Sequence, residues 1–426
     1  MTVLPRLAAL LAIAVLSGCA TAPRPVAEGP PVQASKAQAS STKASMTILV
    51  SIDGFRADYL DRGDTPTMKA LADDGVRAAM RPSFPSLTFP NHYTLVTGKR
   101  PDHNGIVGNT MEDPQIPGVT FTLGNRDAVT DSRWWEMAKP IWVSAEQQGV
   151  KTGTMFWPGS EAQIDGVRPT KWAVFDQKKP SNDRVDTLLS WLDETKDSPL
   201  GLATLYFDIV DSAGHRYGPD SAEVRKAAAD VDAAIARLVD GLKARGLYDT
   251  TNIVIVADHG MAPLPGKQRV VLDEAVDVSK LRYVGLGAIA GIYPNKGEEA
   301  AVTAALTKPH AHMTCWEKAR IPARLHYGSN RRIAPIVCSA QTGWYITTAE
   351  SQAKRTSPER DGGAHGFDNA DPLMQAVFVA SGPSFKSGKT LPVFDNVDVY
   401  PLLAKVTGVR PEKVDGRLAP VAGALR

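Results

Sequence analysis

One hydroxyl stands out in this chain. The run Pro85-Ser86-Leu87-Thr88-Phe89-Pro90-Asn91-His92-Tyr93 places Thr88 in a tight turn between prolines. Four other segments carry Asp53 in Ile52-Asp53-Gly54, Asp211 with His215, Asp258 and His259 before Gly260, and His365 before Gly366. Together they supply three carboxylates and three imidazoles, a donor set suited to zinc. Asp211 and His215 are four apart, so one helical turn puts them on the same side. His365 would complete that three-ligand set. Asp53, Asp258 and His259 would form a second set, with the Thr88 oxygen as fourth ligand. Two cations roughly 3.5–4 Å apart can clamp a phosphoryl group during in-line displacement. The expected chemistry is attack of Thr88 on phosphorus, then hydrolysis of the phosphothreonine by water. Coordination would activate the hydroxyl in place of a general base. The Phe89 backbone N–H and the Asn109 side chain are the expected donors to the phosphoryl oxygens.

Each fragment also has a plainer use. Asp53 could cap a helix, Asp211 could sit in a turn, and an isolated Asp-His-Gly is common by chance. Chance does not account for the whole ordered set. His92 and His103 flank the nucleophile segment without a ligand partner and are read as structural. His310, His312 and His326 are read as lying on a solvated lobe.

These groups need a scaffold that brings distant segments together. Four apolar runs, around 47–52, 202–207, 253–257 and 376–380, are continuously hydrophobic, as strands buried on both faces are. Between two of them, Val224, Ala228, Val231, Ile235, Leu238 and Leu242 step by four and three along a helix from about Ser221 to Arg245. Ser221 can cap its start and Gly246 can end it. This alternation predicts an α/β fold with a mostly parallel central sheet flanked by helices. Asp53 and Asp258 directly follow two of the strands and Asp211 comes soon after a third. All three carboxylates are then expected at the carboxyl edge of the sheet. Residues from about 275 to 360 read differently and predict a small inserted lobe, with a basic cluster at Arg331-Arg332.

The chain begins with a leader. Arg6, the apolar stretch Leu7 to Leu16, and Leu16-Ser17-Gly18-Cys19 make residues 1–19 a lipoprotein-type signal, too short to span a bilayer. Cys19 is the expected lipidation site, an ordinary cleaved signal being the alternative. Residues 20–45, rich in Ala, Pro, Ser, Gln and Lys, are read as a flexible tether. Residues 46–426 form the catalytic domain. The expected location is the periplasmic face of a bacterial membrane, with the lipid anchor as the only membrane contact. The formal net charge is +2. With no basic cluster large enough for a nucleic-acid polymer groove, that class is set aside. Cys315 and Cys338 remain after Cys19, and export favours their pairing over two separate buried thiols. The loop they would close is worth about 3 kcal/mol in the chain-entropy model.

With Ser51-Ile-Asp53-Gly-Phe-Arg56, Thr88-Phe-Pro-Asn-His-Tyr93, Asn109, Phe156-Trp-Pro-Gly159, Asp211 with His215, Asp258-His-Gly-Met261 and His365-Gly-Phe-Asp-Asn369 in view, the chain resembles the nucleotide pyrophosphatase/phosphodiesterase family of the alkaline phosphatase superfamily. The resemblance runs through nearly all of the chain after the tether. It implies an alkaline phosphatase-like fold and two zinc ions, one on Asp53, Thr88, Asp258 and His259, the other on Asp211, His215 and His365. It implies Thr88 as nucleophile and Asn109 as oxygen donor. It also implies cleavage of nucleotide phosphodiester or pyrophosphate bonds with release of nucleoside 5′-monophosphates. Phe89 and Phe175 would stack on the base, worth about 1–3 kcal/mol. Phe175 stands where many relatives carry Tyr, and ordinary core packing is an equal reading for it. Choline-type phosphodiesters are a further substrate class. A phosphomonoesterase of the same superfamily would call for a third metal site and an arginine on the phosphate. A sulfatase would call for Cys or Ser in a Cys/Ser-x-Pro-x-Arg context. A non-catalytic binding lipoprotein would have lost a ligand or the nucleophile.

Overall fold

The continuous apolar runs become the central strands. The computed structural model describes residues 46–354 and 360–426. The leader, the tether and Cys19 lie outside the described residues. Met46–Ile52, Thr251–Val256 and Ala376–Ser381 are buried along their whole length, and Leu200–Phe207 at all but one position. Among the described residues they belong to a nine-stranded sheet. Its order is Lys389–Thr390, Val76–Arg81, Ala376–Ser381, Thr251–Val256, Met46–Ile52, Leu200–Phe207, Lys151–Met155 and Lys171–Trp172, with Phe394–Asp395 also pairing with Val76–Arg81. The block from Thr251–Val256 to Lys171–Trp172 is parallel. Ala376–Ser381 runs antiparallel to both neighbours. Its apolar run does not betray this, because a fully buried strand reads the same in either direction.

Helices cover both faces. The long one spans Ala222–Ala244, and the Ser221 hydroxyl accepts the Val224 N–H at 3.2 Å. Its apolar stripe is buried. Asp232 shares that stripe because its carboxylate accepts the N–H groups of Thr67 and Met68, at 2.9 and 2.8 Å. Those are unpaired donors at the start of the helix Pro66–Asp73, so the acid acts as a remote cap. No helix among the described residues is long and apolar enough to cross a membrane.

Register fixes the site. Ser51 pairs with Tyr206 on one side and Val256 on the other, so three strands end at one level. The segment between Thr251–Val256 and Ala376–Ser381 holds a second, four-stranded antiparallel sheet ordered Leu281–Val284, Ile289–Pro294, Ile336–Ala340 and Met313–Glu317. Cys315 and Cys338 face each other across its last pair and are disulfide-bonded. The apolar cluster around this sheet reaches from Ala262 to Met374, beyond the 275–360 stretch that composition marks. The Arg331-Arg332 pair is not a solvated basic patch. Arg332 is buried, and both residues bond to Asp113 of the main body.

Candidate active site

Thr88 opens the helix Thr88–Thr97 rather than sitting in a turn. Pro90 lies in the first helical turn, where an amide hydrogen is not needed, so the two prolines fix a helix start. The Thr88 hydroxyl therefore sits at the positive end of a buried helix, a favourable place for an anion. Its Oγ1 lies 3.3 Å from His259 Nε2.

Asp53 follows the first strand, and its N–H donates to the Phe207 carbonyl at 2.9 Å. Gly54 then turns the chain with φ of +68°, and its N–H donates to Asp258 Oδ1 at 3.1 Å. Asp258 and His259 follow the strand Thr251–Val256. His259 Nε2 lies 2.9 Å from Asp258 Oδ2 and 3.5 Å from Asp53 Oδ1. The helix Ile209–Tyr217 presents Asp211 and His215 on one side, and His365 arrives after the short strand Gly362–Ala364. His215 Nε2 and His365 Nε2 lie 3.5 and 3.6 Å from the Asp211 carboxylate oxygens. Within each trio the donor atoms lie within 4.8 Å of one another, close enough to hold a metal ion. The His259 and His365 rings stack at 3.5 Å, so the two trios adjoin.

Hydrogen-bond accounting shows what these trios need. The Nδ1 atoms of His215, His365 and His259 each lie 2.9 Å from a backbone carbonyl, of Gly363, Ser86 and Gly260. A carbonyl only accepts, so each Nδ1 carries the hydrogen and each Nε2 of a neutral ring offers a lone pair. Yet His215 Nε2 and His365 Nε2 face each other at 3.1 Å. Asp53 Oδ1, Asp211 Oδ1 and Asp258 Oδ2 are buried without a hydrogen-bond partner. Lone pairs thus converge on lone pairs, which fits a cation between them. Two of the titration directions agree, while His259 differs, since against the lowering effect of burial the Asp258 charge holds it above the usual imidazole value. Burial, then the charges of Asp258 and Asp211, hold the Asp53 carboxyl well above its usual range. Burial, then His259 and His215, push His365 well below the usual imidazole value.

Two supporting residues have no motif of their own. Tyr206 donates its hydroxyl to Asp53 Oδ2 at 2.6 Å, and burial followed by the neighbouring Asp53 charge keeps the phenol protonated. His92 belongs to neither trio and braces the loop beside them. It is fully buried, and its Nδ1 hydrogen-bonds the Thr88 carbonyl at 3.0 Å while lying 3.3 Å from Asp258 Oδ2. Its Nε2 meets the Ser51 hydroxyl at 2.8 Å. Sequence position within the Thr88 segment was the available signal for His92. For Tyr206 it was the end of an apolar run. His103 pairs with Asp415 on the surface, His312 stacks on Trp344, and His310 donates to the Ala305 carbonyl, all away from the trios. His326 is exposed.

Asn109 precedes the strand Thr110–Glu112, and its Oδ1 accepts the Phe89 N–H at 2.9 Å. The two expected oxygen donors are therefore bonded to each other, which leaves the Asn109 amide hydrogens to face a ligand. A cavity of about 420 Å³ opens beside Thr88, Asp53 and Asp211, with Phe89, Trp157 and Phe175 in its wall. Phe175 is 41% exposed, so it is wall rather than core. A second cavity of about 250 Å³ is lined by Leu87, Asn109, His215 and His365 together with the inserted lobe.

Residues 47–368 match the family model for type I phosphodiesterase/nucleotide pyrophosphatase. The chain is similar to an uncharacterized pyrophosphatase/phosphodiesterase of Schizosaccharomyces pombe, with 37% identity over 87% of this chain and 79% of the relative. It is 35% identical to human ectonucleotide pyrophosphatase/phosphodiesterase family member 1, over 87% of this chain but only 40% of that longer protein. The solved structure of human member 5 superposes with a TM-score of 0.84 at 34% identity, covering 89% of this chain and all of that one. An inactive threonine-to-alanine variant of murine member 5, solved in complex with AMP, superposes equally well at 33% identity over 90% of this chain and all of that one. With a family model spanning most of its length and relatives of this identity, the chain belongs to the type I phosphodiesterase/nucleotide pyrophosphatase family and is an enzyme of that class.

Proposed function

We propose that the protein hydrolyses nucleotide phosphodiester or pyrophosphate bonds and releases nucleoside 5′-monophosphates through a phosphothreonine on Thr88. The observation that carries this reading is the Thr88 hydroxyl at a helix N-terminus, 3.3 Å from His259 and beside two convergent Asp/His trios. Asp53, Asp258 and His259 with the Thr88 oxygen would hold one zinc ion, and Asp211, His215 and His365 the other. When bound, such ions lower the pKa of the hydroxyl and neutralise charge on the phosphoryl oxygens.

The chain's own residues do the rest. The helix N-terminus and the Asn109 amide orient the phosphoryl group for in-line attack. Thr88 Oγ1 forms the new P–O bond as the bond to the leaving oxygen breaks, and water later cleaves the Thr88 ester. Phe89 and Phe175 receive the base of the retained nucleotide in the larger cavity. His92 and Tyr206 keep Asp258 and Asp53 in place. The murine relative, inactive as a threonine-to-alanine variant and solved in complex with AMP, supports a catalytic threonine and a nucleoside monophosphate as ligand. The leader and Cys19 add an exported, lipid-tethered setting to the proposal.

The test is Thr88→Ala. Turnover of a nucleotide diester should fall by at least about 10³-fold, while bound zinc, measured by elemental analysis, stays near two ions per chain. Wild-type turnover in that variant rejects the nucleophile, and a strong preference for a phosphomonoester over the matched diester rejects the reaction class.

A further inference from the structure

Arg184 has no role in the account so far. It lies on the helix Ser181–Glu194 and is 1% exposed. It does not line the larger cavity, yet three of the residues it pairs with, Gln177, Tyr206 and Asp208, do. A buried guanidinium needs acceptors for its charge and its N–H groups. On one side Nη1 donates to the Tyr206 carbonyl at 2.9 Å and lies 2.8 Å from Asp208 Oδ1. Tyr206 holds Asp53 through its hydroxyl, and Asp208 precedes the helix that carries Asp211 and His215. On the other side Nε and Nη2 donate to the carbonyls of Lys179 and Gln177, at 2.9 and 3.3 Å. The guanidinium thus joins the end of the strand Leu200–Phe207 to residues 173–180, which form no strand or helix and carry Phe175.

A second contact runs through side chains. The guanidinium lies over the Phe156 ring, 5.2 Å from its centroid, and that ring meets Phe175 edge to face at 5.1 Å. Phe156 holds a φ of +62°, a left-handed conformation that costs a bulky residue energy and persists where the surroundings impose it. Phe175 is half exposed, so its place against a base is set by what stands behind it. Its ring touches Phe156 and Tyr206, and its N–H donates to Glu161 Oε1 at 3.2 Å. Arg184 stacks on the first of these and bonds the second. A lysine could carry charge to Asp208, but it lacks the planar fork that reaches carbonyls on two segments and covers a ring.

We propose that Arg184 is a positioning residue for the retained nucleoside: from behind the cavity wall it sets Phe175 against the base. The inference rests on the phosphodiesterase reading above. The test compares kcat/KM of the zinc-loaded enzyme on the p-nitrophenyl ester of thymidine 5′-monophosphate and on methyl p-nitrophenyl phosphate, which has the same leaving group and no base. The ratio of the two isolates what the base contributes. Arg184→Lys should lower that ratio by about tenfold, through KM of the nucleotide ester rather than kcat. Phe175→Ala should lower it as far, and the double variant no further, because both changes remove one contact. Phe156→Leu, which removes only the ring between the guanidinium and Phe175, should lower it by about threefold, and it decides the matter if Arg184→Lys does not fold. An unchanged ratio in Arg184→Lys or in Phe156→Leu, even where both rates fall together, overturns the inference and leaves the phosphodiesterase reading intact. So do losses that add in the double variant, and so does a wild type that uses both esters equally. Hydrolysis of neither ester by the wild type overturns both.

Discussion

Two buried charged clusters lie close together in this molecule and are built on opposite terms. Around Arg332 and Asp113, donors meet acceptors. Arg331 and Arg332 bond to the Asp113 carboxylate, and the rest of the Arg332 guanidinium goes to three carbonyls. Around Thr88, acceptors meet acceptors, with imidazole lone pairs and carboxylate oxygens converging and left without partners. The first cluster is complete within the protein and fastens the inserted lobe to the main body. The second is complete only with something positive added. The contrast separates charge kept for structure from charge kept for chemistry, which burial alone would not do.

Each cluster should fail under its own perturbation. The largest stability effect should come from Asp113→Asn, which leaves Arg332 buried without its counter-charge. The expected loss is about 3–5 kcal/mol, read by denaturant unfolding, and a loss under 1 kcal/mol removes the structural role. The two arginines hold Asp113 at about 2, against burial that pushes it up. Because this pKa is depressed, the clamp is at full strength above the ordinary carboxylate range and is lost as pH falls toward 2.

Chelation should act only on the other cluster. Removing divalent ions should lower Tm and abolish turnover, and excess zinc should restore both. At a thousandfold excess over Kd the stabilisation is about 4 kcal/mol. An unchanged Tm on chelation would mean that the convergent lone pairs do not bind a cation. A smaller effect is expected from Tyr206→Phe, which removes one hydrogen bond to Asp53. Zinc affinity should weaken by about 10–100-fold with little change in the unfolding free energy of the metal-free protein. A change in stability alone would make Tyr206 a packing residue.

The scaffold and the members of the two Asp/His trios were legible in the sequence where local pattern carries the information. The helix from Ser221 was legible from its spacing and cap, and the i, i+4 pair Asp211 and His215 from the helical repeat. The strand Ala376–Ser381 was legible as a strand but not in direction, since an unbroken apolar run has no polarity. Two prolines around Thr88 suggested a turn, although one of them suits the first turn of a helix. Tyr206 and the Asp113 clamp were invisible because they depend on strand register and on contacts between residues more than a hundred apart. The same holds for the mutual bond between Phe89 and Asn109, since composition cannot tell whether two donors will face a ligand or each other.

Gly54 bears a constraint that reaches past its own turn. Its positive φ already disfavours other residues, and a methyl group there would stand 3.0 Å from the Asp211 Cβ. Any side chain would press on Asp211, so a substitution at a position with no chemical function should erode catalysis. A variant library of this gene should therefore find position 54 as intolerant as Asp211, which it adjoins.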